Sequence, residues 1–297
     1  MKLEPTYRGA VNAWECDFMG HMNVQFYIGK SMEATGFLRQ MLGLSPAAIR
    51  ARRFTLIPAE DRVQFRRELR AGDVFTMASG IRGLAADAID TYTEVRSIET
   101  DQIAAIVDRR LVAMDTRQGI RIGLPEDIAR QAVTLAQNDL PPVPPASTPG
   151  IPAFDHPGCF ETYRGAVNPW EADEHGQANP RFHIHRFSAG MAHFIERIGL
   201  TPELRADRNW GLAALDYRIT YHRPIRVGTT LQVMSGIVDV RPKVFRIFHH
   251  LLGGDPPALA TSIDIIVAMF DLRARRAMVI PDEIRRRAEA LSLGATA

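Results

Sequence analysis

Four residues near the start of the chain are of types that do chemistry together: Asp17, Gly20, His21 and Asn23, inside TYRGAVNAWECDFMGHMN, which runs from Thr6 to Asn23. A carboxylate such as Asp17 attacks a carbonyl carbon as a nucleophile or activates a water as a general base. Either attack puts negative charge on the carbonyl oxygen, which then needs donors. Asn23 is a good helix N-cap, and a helix N-terminus presents unpaired N–H groups and a partial positive charge. Gly20, His21 and Met22 fall just before the expected helix, so their backbone N–H groups are the candidate donors. One such donor is worth roughly 3 kcal/mol in a transition state. Gly20 also lets the backbone approach closely. The His21 side chain reads either as catalytic or as a local hydrogen-bonding group. Tyr27 and Glu33 lie on the helix; Glu33 reads as a residue that orients its neighbours. Trp14 and Trp170 read as core residues, the alternative being an aromatic wall of a binding site.

The same stretch is written again as TYRGAVNPWEADEHGQAN, from Thr162 to Asn179, at an offset of 156 and with 12 of 18 positions identical. The offset persists far along the chain. Gly43-Leu44-Ser45-Pro46 meets Gly199-Leu200-Thr201-Pro202, Gly72 meets Gly228, Asp115 meets Asp271, and Pro125 meets Pro281. A repeat of this length is a tandem duplication. It predicts two domains, 1–137 and 161–297, joined by a Pro-rich linker over 138–160, where proline density favours extended backbone. The second copy keeps Asp173, Gly176 and Asn179. It has Gln177 where the first has His21, Ala178 for Met22, His183 for Tyr27 and Ala189 for Glu33. One working site around Asp17 is the expectation, and a second active site at Asp173 is the alternative.

Positioning these residues requires a helix after the loop and a sheet beneath it. Val24 to Leu42 carries an apolar stripe at helical spacing, closed by Gly43 as a left-handed cap, with Gly199 in the same role in copy two. Alternating β-rich runs follow at Arg62–Leu69, Asp73–Ile81, Thr91–Ile98 and Ile103–Asp115, and again in copy two. Each half therefore reads as a strand, a long helix and four strands. This is an α+β class in which the sheet wraps one helix.

Composition excludes more than it identifies. At 297 residues, 46% hydrophobic, 24% charged and with a net charge of +2, the chain suits two globular domains and gives no argument for nucleic acid. Only Lys2, Lys30 and Lys243 are lysine among 36 basic residues, so the rest are arginine. The N-terminus lacks an apolar signal core, and no apolar run is long enough to span a bilayer. Cys16 and Cys159 form neither a disulfide framework nor a metal-ligand spacing, and His183, His185 and His249 read as structural. A cytoplasmic protein without metal or membrane partner is expected.

Trp14-Glu15-Cys16-Asp17-Phe18-Met19-Gly20-His21-Met22-Asn23, followed by Tyr27 and Glu33, resembles the hotdog-fold acyl-CoA thioesterases of the 4-hydroxybenzoyl-CoA thioesterase type. FRRELRAGD, from Phe65 to Asp73, resembles the same family's strand and turn. The resemblance covers both halves and is more specific in the first. It implies two tandem hotdog domains, each an antiparallel sheet around one long helix, packed as an intrachain pseudo-dimer with sites at the interface. It implies hydrolysis of an acyl-CoA to free acid and CoA, with no cofactor beyond the coenzyme A of the substrate. The implied catalytic residues are Asp17, Gly20, His21 and Asn23, and the implied substrate-binding residues are Tyr27, Glu33 and Trp14. Their second-copy counterparts are Asp173, Gly176, Gln177 and Asn179. Arg66, Arg67 and Arg223 are candidates for the CoA phosphates. An acyl-carrier-protein thioesterase and a non-catalytic acyl-CoA binder are the alternatives, and further homo-oligomerisation is open.

Overall fold

The computed structural model describes residues 2–143, 150–173 and 176–293. Part of the Pro-rich linker, 144–149, and residues 174–175 of the second loop lie outside them. The chain divides into two compact units, Met1–Ala146 and Ser147–Ala297.

The first unit runs β1 (Glu4–Ala10), a 3-10 turn (Ala13–Glu15), α1 (Val24–Met41), α2 (Pro46–Arg52), β2 (Phe54–Phe65), β3 (Val74–Leu84), β4 (Ala88–Ser97), β5 (Ile103–Asp115) and α3 (Glu126–Thr134). Its strands pair antiparallel in the order β1-β3-β4-β5-β2. The second unit repeats this order with β6 (Phe160–Ala166), a 3-10 turn (Pro169–Glu171), α4 (Pro180–Arg197), α5 (Pro202–Arg208), β7 (Trp210–Tyr221), β8 (Thr230–Val240), β9 (Val244–Gly253), β10 (Ala258–Asp271), the short β11 (Arg276–Ala277) and α6 (Asp282–Ala290). Its antiparallel order is β6-β8-β9-β10-β7, with β11 against β10.

The long helix forms where its end signals place it. Asn23 Oδ1 accepts from the Gln25 N–H at 3.1 Å, and Gly43 ends the helix with a φ of +80°. The buried face passes through Phe26, Tyr27, Lys30, Ala34 and Leu38, at the three- and four-residue spacing that puts side chains on one side of a helix. That face packs on Val11, Phe75, Met77, Val95 and Ala105 of the turn and sheet. Leu42, Leu44, Ile49, Leu56, Ile89 and Ile128 form a second cluster, which brings α2 and α3 into the unit.

Three elements differ from the sequence expectation. The strand expected over Arg62–Leu69 is β2, and it begins at Phe54. Asp61, one residue before the expected start, is buried within it because Arg109 faces it directly from β5. The chain leaves the ladder after Phe65, where the N–H groups of Arg66 and Arg67 both turn to the Ala104 carbonyl. Helices α2 and α3 were not expected. They are seven and nine residues long, too short for a periodic stripe to show. Ser45 and Pro46 were nevertheless a legible start signal for α2.

Candidate active site

Asp17 hangs in a closed turn between the 3-10 turn and α1. Its N–H donates to the His21 carbonyl at 2.8 Å, and the Gly20 N–H donates back to the Asp17 carbonyl at 3.0 Å. Gly20 makes this possible with a φ of +79°, a region that L side chains rarely adopt. Asp17 Oδ1 accepts from the Met19 N–H at 2.8 Å and the His21 N–H at 3.3 Å. Asp17 is half-buried, and no hydrogen bond to its Oδ2 occurs among the described residues. One carboxylate oxygen is thus held by the backbone while the other is left for chemistry.

The donors are not the ones the sequence suggested. The N–H groups of Gly20 and His21 serve the turn itself, and the Met22 N–H donates to the Leu69 carbonyl at 2.7 Å. Asn23 is a cap: its own N–H donates to the Glu15 carbonyl at 2.8 Å, and its side chain takes the Gln25 N–H. The Phe26 N–H donates to the Asn23 carbonyl at 2.9 Å. That leaves the Val24 N–H, the first of α1, with no partner among the described residues. It is the donor that a helix start leaves unsatisfied. Sequence reasoning missed it, although the comparison with copy two contained the signal. The equivalent residue is Pro180, which opens α4 and has no N–H.

The remaining candidates divide. His21 is buried and places Nε2 at 3.2 Å from Glu68 Oε1, a partner the sequence reading did not single out. Copy two has lost both members, with Gln177 and Pro224 in their places. Tyr27 does not line an open pocket: it is 3% exposed, stacks edge-on against Phe65 at 5.2 Å, and its hydroxyl engages the Leu69 backbone. Burial pushes that hydroxyl well above the ordinary tyrosine pKa. Glu33 is exposed on α1, nine residues beyond Val24 and so roughly 13 Å along the axis at 1.5 Å per residue. It is not brought to Asp17 within its unit. Trp14 and Trp170 are not core residues; they are 76% and 74% exposed, because the capping box of each 3-10 turn points them outward while burying Glu15 and Glu171. Arg66 and Arg67 are exposed, and Arg223 donates to the Gly253 and Ala258 carbonyls.

The second loop keeps the frame. The Asp173 N–H donates to the Gln177 carbonyl at 2.7 Å, the Gln177 N–H donates to Asp173 Oδ1 at 3.0 Å, and Gly176 has a φ of +72°. Asn179 caps α4 through the Arg181 N–H at 3.0 Å. What differs is the chemistry at the helix start, where the free donor, the histidine and its glutamate are absent. Among the described residues no group of three or more His, Cys, Asp or Glu side chains is arranged to hold a metal, and no helix is long and apolar enough to cross a membrane.

A long helix against a five-stranded antiparallel sheet, twice over, with a carboxylate in the turn before each helix, defines a tandem hotdog protein. The thioesterase-like superfamily matches over residues 11–146 and 167–288. The chain belongs to that superfamily, which makes thioester hydrolysis its class of activity. The matches among solved structures include a 12:0-ACP thioesterase from Umbellularia californica, at 10% identity and a TM-score of 0.69, covering 89% of this chain and 93% of that one. A protein assigned as an oleoyl thioesterase from Lactobacillus plantarum is 14% identical with a TM-score of 0.68, covering 90% and 96%. An acyl-ACP thioesterase from Bacteroides thetaiotaomicron is 12% identical with a TM-score of 0.66, covering 88% and 96%. At these identities the likeness is one of fold. No curated protein matches the chain.

Proposed function

We propose that the first unit hydrolyses acyl-CoA thioesters, as in the 4-hydroxybenzoyl-CoA thioesterase type, and that the second unit supports it without turning substrate over. Asp17 acts as nucleophile or as general base on water, through the oxygen that the turn leaves unengaged. The Val24 N–H, reinforced by the positive end of α1, donates to the thioester oxygen as charge develops there. The observation that carries this reading is the Val24 N–H, one residue past the cap of the Asp17 loop and without a partner among the described residues, matched by a proline in the second unit. The carboxylate and the donor are both present in one unit only.

The experiment is thiol release from a panel of acyl-CoAs by the wild-type chain, Asp17→Asn and Asp173→Asn. Turnover that collapses in Asp17→Asn and survives in Asp173→Asn supports the reading; equal loss in both shows that the second unit is not retired. A second reading, hydrolysis of acyl groups on a carrier protein, draws on the two structures named as acyl-carrier-protein thioesterases. Matched acyl-CoA and acyl-carrier substrates with one acyl chain separate the two.

A further inference from the structure

Beneath the Asp17 turn lies a buried ion pair to which neither the sequence argument nor the reaction assigns a part. Lys30, on the second turn of α1, is 7% exposed and is the one buried lysine of the three. Its ammonium donates to Glu15 Oε1 at 2.9 Å, to Tyr7 Oη at 3.2 Å and to the Ala10 carbonyl at 3.3 Å, which uses all three of its N–H groups. Burial works against its charge, and the bonds to Glu15 and Tyr7 outweigh that and hold its pKa above the ordinary lysine value. Glu15 in turn accepts from the Asn12 N–H at 2.8 Å through Oε2 and from the Asn23 N–H at 2.8 Å through its backbone carbonyl. That last bond clasps the two ends of the 15–23 loop, with Asp17 between them and Val24 next to the clasp.

We propose that Lys30 is the positioning residue of this site: through Glu15 it closes the 15–23 loop and sets where Asp17 and the Val24 N–H stand. The proposal rests on the reading of the first unit as the hydrolytic one. Copy two supplies the independent argument. It has lost His21, Glu68, Tyr27 and the free donor, yet Arg186 pairs with Glu171 at the same two positions. Arg186 also donates to the Ala166 carbonyl at 3.1 Å, and the Asn179 N–H donates to the Glu171 carbonyl at 2.9 Å. A feature kept while the reactive groups diverged serves the loop that both copies share. Lysine and arginine each do this work, so the job is charge and reach rather than one side-chain shape.

The charged and titratable neighbours define how a variant behaves. Tyr7 faces Lys30 from β1, while Glu15, Cys16 and Asp17 share the turn and Asp73 faces them from the turn before β3. Removing the ammonium leaves the Glu15 carboxylate buried among these groups without its cation, so its ionisation is opposed. In Lys30→Met the loop stays closed while Glu15 is protonated and opens as rising pH ionises it.

The test compares Lys30→Met, Lys30→Arg and the double variant Lys30→Met with Glu15→Gln. In Lys30→Met, kcat falls by about a hundredfold at pH 8, as displacing a reacting group does. KM moves by less than about threefold, and activity declines as pH rises. Lys30→Arg regains most of kcat, and the double variant loses the new pH dependence. An unchanged kcat in Lys30→Met, no rescue by arginine, or a double variant with the same pH profile as Lys30→Met overturns the proposal. Hydrogen exchange at the Met19, His21 and Asn23 amides is read in parallel. Faster exchange in Lys30→Met than in Lys30→Arg is expected, and equal exchange overturns the positioning claim even if no thioester is turned over. Absence of turnover in the wild type sinks only the assigned reaction.

Discussion

Acidification to pH 5 is expected to destabilise the second unit far more than the first. Of the nine histidines, only His21 lies in the first unit. In the second, burial lowers the pKa of His183 from 6.5 to about 4 and that of His249 from 6.5 to about 3. His183 sets Nδ1 at 2.7 Å from Thr261 Oγ1, and His249 sets Nδ1 at 2.6 Å from Ser235 Oγ while stacking on Phe187. Both are neutral in the folded chain and take up a proton on unfolding. Their contribution to stability is complete above pH 6.5 and is lost as pH falls from there towards the depressed folded values. At pH 5 the unfolded side chains have gone 1.5 units below the ordinary histidine pKa, so each costs about 2 kcal/mol and the pair about 4 kcal/mol. Burial depresses His185, His222 and His250 in the same direction. Against a domain stability of about 5–15 kcal/mol this is a large loss. Hydrogen exchange resolved by peptide between pH 7 and 5 measures it: β8, β9 and β10 lose protection while β3, β4 and β5 keep theirs. His183→Tyr and His249→Thr, the residues that the first unit uses at those positions, flatten the pH slope even if they lower stability at pH 7. Simultaneous loss of protection in both units, or a slope unchanged in the double variant, refutes the reasoning.

The donor assignment is tested by Val24→Pro, since proline fits the first position of a helix and removes only the N–H. The expected result is a drop in kcat of about 10²- to 10³-fold with unchanged thermal unfolding; unchanged turnover rules out this donor. The five bonds of the buried Arg109 guanidinium to Asp61 Oδ1 and Oδ2, Thr35 Oγ1, Ser31 Oγ and the Ser31 carbonyl run from 2.6 to 3.2 Å and saturate it. Asp61→Ala therefore destabilises by about 3–5 kcal/mol in chemical denaturation. Replacing Asp61, Arg109, Ser31 and Thr35 together by the second unit's Tyr, Ile, Phe and Met is far milder, because that set buries no charge. A quadruple variant as damaged as the single one contradicts this account.

The sequence by itself determined the duplication, the long helix with its Asn cap and Gly stop, and the turn that carries Asp17. These are local: a cap, a left-handed glycine and a side chain reaching back to its own backbone act within a few residues. The shared 156-residue offset then wrote the same frame twice. What only the tertiary structure decided is what each group has left to offer. Gly20, His21 and Met22 looked like free donors until the turn and Leu69 claimed them. Asp61 lay outside the strand expected over Arg62–Leu69, and β5 brought Arg109 to it across the ladder from 48 residues away. Trp14 looked like core because tryptophan usually is, but a capping box four residues wide turned it out to solvent. Lys30 looked like one of few lysines in an arginine-rich chain, and folding placed it under the Asp17 turn. Residue types and short spacings set the parts and their local shape; which donors are spent, which charges are paired and which faces are covered depends on contacts between distant segments.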